Sequence, residues 1–310
     1  MTTTIPEFSS SLILRARPML MLASWLLAAC GNATPLPLHT NGPLAITHVT
    51  VIDVETGARQ FDQTVLIQGN RIIRVGLTTQ VRVPANATMV DGPGKFLIPG
   101  LWDMHVHTVV EEDYRSFFPL FVANGITGVR DMWGDLALAR DLRHRMVGGT
   151  LLGPRLVVAG NLVDGSPPTW PGATEVTSPD EGRAVVDSLF NVGAAFIKVY
   201  SRLPADAFFA IASRARELHI PFAGHVPFAV RAADAAAAGQ RSMEHLYGVI
   251  EGCSSAEGAT IEVMRAKARA RAMGDSSESD KAFRRRRFRG ILNSRDPVRC
   301  ESLLALFRRD

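Results

Sequence analysis

The chain has 310 residues, 46% hydrophobic and 21% charged, which is enough apolar material for a sizeable core and too much for disorder over the whole length. That length allows one large α/β domain or two modest ones. No apolar run reaches the roughly 20 residues of a spanning helix, which excludes a polytopic membrane protein. The formal charge of +4 is uneven: residues 261–310 hold 14 Lys/Arg against 7 Asp/Glu, so the basic character belongs to the tail.

Residues 1–30 read as a targeting segment. Arg15 and Arg17 precede an apolar stretch from Met19 to Ala29, too short for a transmembrane helix and suited to a secretory h-region. Its end, Leu27-Ala28-Ala29-Cys30, resembles the lipobox of bacterial lipoproteins. The resemblance implies that Cys30 is lipidated and begins the mature chain, anchored on the periplasmic side to the outer membrane. The competing reading is an ordinary signal peptide with an incidental cysteine. Residues 31–43, rich in Pro, Asn and Thr, read as a tether. An oxidising compartment permits a disulfide between Cys253 and Cys300, but two cysteines alone do not establish one.

From 44 to 98, short β-like runs (Ala45–Val54, Thr64–Gln68, Arg71–Val75 and Thr88–Asp91) alternate with Gly- and Pro-marked turns, predicting a small β-sandwich-like module. After Pro99-Gly100 the rhythm becomes strand then helix. Strands are expected at Leu101–Val106, Thr127–Asp131, Arg155–Ala159, Phe196–Tyr200, Pro221–His225 and Ser242–His245. Helical patterns lie between them, for example at Ala205–His219 and Pro227–Ala238. This alternation predicts parallel βαβ units and an incomplete (β/α)8 TIM barrel of about six units over 99–272, an α/β fold. From residue 273 the pattern dissolves into a basic tail, with at most a short helix around Leu303, Leu304, Leu306 and Phe307.

The residues that carry chemistry fall at the ends of those strands. His105 and His107, at i and i+2 on a strand, point to one side, so both imidazoles can bind one metal ion. Lys198 lies in the apolar run Phe196-Ile197-Lys198-Val199-Tyr200, where a charge is costly unless it is changed or paired. Tyr200 shares its face. His225 closes Pro221-Phe222-Ala223-Gly224-His225, and His245 lies in Ser242-Met243-Glu244-His245. A lone histidine is most often an ordinary core or surface residue, but four of the eight histidines stand at successive strand ends.

With Pro99-Gly100-Leu101-Trp102-Asp103-Met104-His105-Val106-His107 and the Lys198, His225 and His245 motifs, the sequence resembles the amidohydrolase superfamily, in its imidazolonepropionase-like and prolidase-like branch, over residues 44–260. The resemblance implies a hydrolase of C–N bonds in small amides, N-acyl amino acids or dipeptides. It implies two divalent ions, usually zinc, that activate water to hydroxide. His105 and His107 would hold the buried ion and His225 and His245 the exposed one. Lys198, carboxylated by CO2, would bridge them, and Tyr200 would polarise the substrate carbonyl. The family's strand-eight aspartate has no counterpart: Asp275, Asp280 and Asp296 follow no apolar strand. The expectation is therefore a chain truncated or frameshifted near residue 273, and the alternative function is an inactive or unstable remnant. A nucleic-acid partner for Phe283–Arg289 is a weaker reading, since an exported protein rarely meets nucleic acid.

Overall fold

The computed structural model describes residues 42–274 and 279–308. The targeting segment, Cys30 and nearly all of the tether lie outside them. Strands β1 (Leu44–Ile52), β2 (Arg59–Gln68), β3 (Arg71–Leu77), β4 (Thr88–Asp91) and β5 (Phe96–Leu97) build the N-terminal module. β1, β2 and β3 run antiparallel, and β4 and β5 pair parallel with β1. Alternate residues Ala45, Thr47 and Val49 are buried on one face of β1, the period-2 signal of a half-buried strand. Gly69, at φ +56°, takes the left-handed position in the tight β2–β3 turn. The module is a single five-stranded sheet in the order β3-β2-β1-β4, where a sandwich was expected. Alternation gives each strand one buried face, which one sheet satisfies as well as two.

The second region follows the expected alternation. In chain order it contains β6 (Leu101–Val106), α1 (Tyr114–Ala123), β7 (Ile126–Asp131), α2 (Leu136–Val147), β8 (Arg155–Val158), β9 (Val163–Asp164) and β10 (Thr174–Glu175). These are followed by α3 (Pro179–Asn191), β11 (Ile197–Val199), α4 (Ala205–Glu217), β12 (Phe222–Gly224), α5 (Ala232–Ala237) and α6 (Val249–Gly252). β6, β7 and β8 form one parallel sheet, and β11 and β12 pair in parallel within the sheet β10-β9-β11-β12. The Ala195 N–H donates to the Val158 carbonyl at 2.9 Å, which carries the strand succession from the first sheet to the second. The helices start where the residues allow it. Asp135 accepts two backbone N–H groups ahead of α2, and Ser178 caps α3 with Pro179 at its first position.

The predicted strand Ser242–His245 is not a strand. It is a single parallel bridge between Gly224 and Met243, followed by a 3-10 turn over Glu244–Leu246. His245 and Leu246 adopt φ of +58° and +57°, and this left-handed pair ends any strand pairing. The tail also differs from expectation. Helix α7 (Glu257–Ala272) leads up to it, and helices α8 (Asp280–Asn293) and α9 (Pro297–Phe307) occupy most of its described residues. Phe283 and Ile291 of α8 are buried, eight residues apart on one helical face, although arginines surround them. α9 starts on an Asp296 cap with Pro297 behind it and sends Leu303 into the core shared by β11, β12 and α4. Cys253 and Cys300 form a disulfide that ties α6 to α9. No helix among the described residues is long and apolar enough to cross a membrane.

Candidate active site

Five side chains from the ends of β6, β11, β12 and the 3-10 turn gather at one end of the parallel strands. The His105 ring centroid lies 5.2 Å from that of His107 and 4.7 Å from that of His245, and His225 lies 5.2 Å from His245. Lys198 is 1% exposed on β11. Tyr200 stacks on His225 with ring centroids 3.8 Å apart, and its hydroxyl oxygen accepts the indole N–H of Trp170 at 2.8 Å. The long loop that carries Trp170 therefore lines the site. Gly224 makes the close approach of β12 to β11 possible: its φ is +135°, and a Cβ there would fall 2.1 Å from the Val199 carbonyl oxygen.

Burial sets the electrostatics. The Lys198 amine is pushed down to about 8, because burial strips water from the ammonium and the Arg130 charge adds to this, against an opposing attraction from Glu244. His225 is held down to about 2 by burial, with Lys198 and His245 contributing. His107 falls to about 4 through burial and the neighbouring His105 and Lys198. His245 is lowered by burial and by His105. Burial raises the Tyr200 hydroxyl. Histidines 107, 225 and 245 are thus kept neutral at pH 7, the form that binds a cation.

The sequence reasoning gave no role to Glu244, Arg130 or Asp131. Glu244 accepts from His105 Nδ1 at 2.6 Å, from Arg130 at 2.6 Å and from the Ser242 hydroxyl at 2.7 Å. Burial alone would raise its carboxyl, but these hydrogen bonds and the Arg130 charge win and hold it at about 2. Asp131, fully buried at the end of β7, accepts the N–H groups of Thr108, Val109 and Trp133 at 2.7, 2.8 and 3.1 Å. It fixes the backbone immediately after His107. An arginine and an aspartate side by side in an otherwise apolar strand, Val129-Arg130-Asp131, were the available signal.

Two of the histidines are held as metal-binding imidazoles are. His225 Nδ1 is engaged by Ser201 at 2.7 Å, while its buried Nε2 has no hydrogen-bond partner. His105 Nδ1 is likewise held, by Glu244. Metal-binding imidazoles characteristically anchor one ring nitrogen in this way and present the other. Among the described residues, no three His, Cys, Asp or Glu side chains converge as a metal-binding group.

No protein-family model and no curated protein matches this sequence. Solved structures do match. A prolidase-type protein from Bifidobacterium longum aligns at 22% identity and TM-score 0.53, over 59% of this chain and 49% of that one. A molinate hydrolase aligns at 20% and 0.57, over 73% and 67%. A bottromycin amidohydrolase aligns at 24% and 0.57, over 86% and 64%. This chain shares the fold of these solved structures. It spans about half to two thirds of the length of these relatives.

Proposed function

We propose that the chain is a metal-dependent hydrolase of C–N bonds in small amides, N-acyl amino acids or dipeptides. The observation that carries this reading is the meeting of His105, His107, His225 and His245 with buried Lys198 at one end of the parallel strands. His105 and His107 would hold one divalent ion, zinc by the family resemblance, and His225 and His245 a second, with Lys198 as a carbamate between them. When bound, such ions supply Lewis acidity and lower the pKa of water.

The protein's own residues do the remaining work. Glu244 and Ser201 fix the rings of His105 and His225 through Nδ1, leaving Nε2 as the presenting atom. Lys198, pushed down to about 8, is neutral in roughly a tenth of molecules at pH 7, far more than an ordinary lysine, and the neutral amine is the form that adds CO2. Because the Tyr200 oxygen already accepts from Trp170, its own O–H proton is left to donate to a substrate carbonyl as negative charge develops there. Export and lipid anchoring at Cys30 belong to the same proposal. Acyl labelling of the chain expressed in a bacterium, lost in Cys30→Ser, is the test of the anchor.

The test of the catalytic reading is elemental analysis of the purified chain together with hydrolysis of an N-acyl amino acid and dipeptide panel. Two divalent ions per chain are expected, falling to one or fewer in His105→Ala/His107→Ala. Hydrolysis should drop at least a hundredfold in Lys198→Ala and recover in part with added short carboxylates. A chain that takes up no metal and hydrolyses nothing when supplied with it overturns the proposal. That outcome supports the second reading, an inactive member of the fold, which the lack of a converged three-residue donor group among the described residues favours.

A further inference from the structure

A cavity of about 240 Å³ opens beside the histidine cluster. Tyr200, Ser201 and Tyr247 line it, and all three touch His225. Tyr200 stacks on the ring, Ser201 bonds Nδ1, and the Tyr247 ring lies 4.7 Å away. Another wall comes from α7 and α8, through Met264, Lys267, Phe283, Arg284 and Arg287. Phe283, Arg284 and Arg287 belong to the part of the chain whose sequence showed no barrel pattern.

That wall is apolar in its body and cationic in its functional groups. Lys267 stands over the Phe283 ring at 5.7 Å. Arg287 packs against the Met264 sulfur and reaches buried Glu251 at 3.6 Å, and among the described residues its buried Nε has no hydrogen-bond partner. Arg284 is exposed on the same wall. Arg202 also lines the cavity, with its guanidinium directed to the Pro167 and Pro168 carbonyls. Among the described residues no Asp or Glu lines the cavity. Aromatic and thioether surface beside guanidinium groups suits a compact apolar body that ends in a carboxylate.

We infer that Arg284 and Arg287 make this cavity an anion subsite, so that the site selects ligands with an apolar body and a carboxylate over their neutral counterparts. The ligand is a substrate on the hydrolase reading above; the binding preference stands on the cavity itself.

The experiment is calorimetric titration of the full chain with 3-phenylpropionate and with 3-phenylpropan-1-ol, neither of which has a C–N bond to cleave. The carboxylate should bind at least tenfold more tightly. Arg284→Gln should cut that preference severalfold, and Arg284→Gln/Arg287→Gln should abolish it. Arg285→Gln, on α8 but off the cavity, should leave it unchanged. Because Arg287 is packed and its variant can unfold, Arg284→Glu provides the exposed single change and should reverse the preference. Equal affinities in the parent chain overturn the inference, as does a preference that survives the double variant, which would place the carboxylate on the histidine side. Lost hydrolysis with the preference intact counts against the hydrolase reading alone. Hydrolysis without the preference counts against the subsite alone.

Discussion

His105 and Glu244 meet at 2.6 Å across 139 residues of sequence, and the same carboxylate holds Arg130 from a third element. Glu244→Gln keeps the shape and removes the charge. Arg130, only 14% exposed, then loses its ion partner, and a stability loss of about 3 kcal/mol is expected. Metal affinity should fall 10- to 100-fold as His105 exchanges a charged acceptor for a neutral one that Arg130 and Ser242 also compete for. Thermal denaturation and a zinc titration of the variant read both effects, and an unchanged midpoint would show that Arg130 finds another acceptor.

Asp131 makes a separate prediction. Replacing it with Ala leaves the buried N–H groups of Thr108, Val109 and Trp133 without their acceptor, at a cost of about 3 kcal/mol or more. Asp131→Asn retains one acceptor oxygen and should cost less. Urea denaturation ranks the two variants, and the order Ala below Asn below the parent chain is the expected result.

Acid should destabilise the protein before most carboxylates titrate. In the unfolded chain His225 takes up a proton as pH falls below about 6.5, whereas in the fold it resists until about 2. The unfolded state binds more protons throughout that window, so stability falls as pH falls. Between pH 6.5 and pH 5 this amounts to about 2 kcal/mol from His225. Glu244, held at about 2 against an ordinary 4.5, adds to the loss below pH 4.5. Urea midpoints at pH 7.5 and pH 5 should differ clearly, and His225→Asn should flatten the dependence.

The disulfide gives a redox prediction. Cys253 and Cys300 close a loop with a sequence separation of 47, for which chain entropy suggests about 4 kcal/mol of stabilisation. Cys300→Ser, or the parent chain under strong reductant, should denature at a lower temperature, and reductant should have no further effect on the variant.

Much of the barrel region was legible because its signals are local. The apolar runs before His107, Tyr200 and His225 each carry a strand, and each ends at a polar residue. The sixth strand was misread because Met243-Glu244-His245 has the same appearance, while the left-handed turn at His245 and Leu246 is set by what surrounds it. Glu244 escaped notice for a related reason: its partners, His105 and Arg130, come from distant strands. In α8 the arginines mask a sparse apolar face of Phe283 and Ile291. The Asp296-Pro297 start of α9 was open to reading as a helix cap, but it was passed over because no strand preceded it. His105 and His107 were proposed as ligands from their spacing, Lys198, His225 and His245 from the family resemblance, and the groups that orient the rings required tertiary contact.

The position of Leu303 has a consequence in time. This side chain fills the space beside Gly252, where an added Cβ would lie 2.7 Å from its Cδ2 atom, and it completes the core under β11 and β12. During synthesis at about 5–20 residues per second, the segment carrying His245 emerges several seconds before Leu303. A nascent chain therefore displays His245 before Leu303 is present to complete that core.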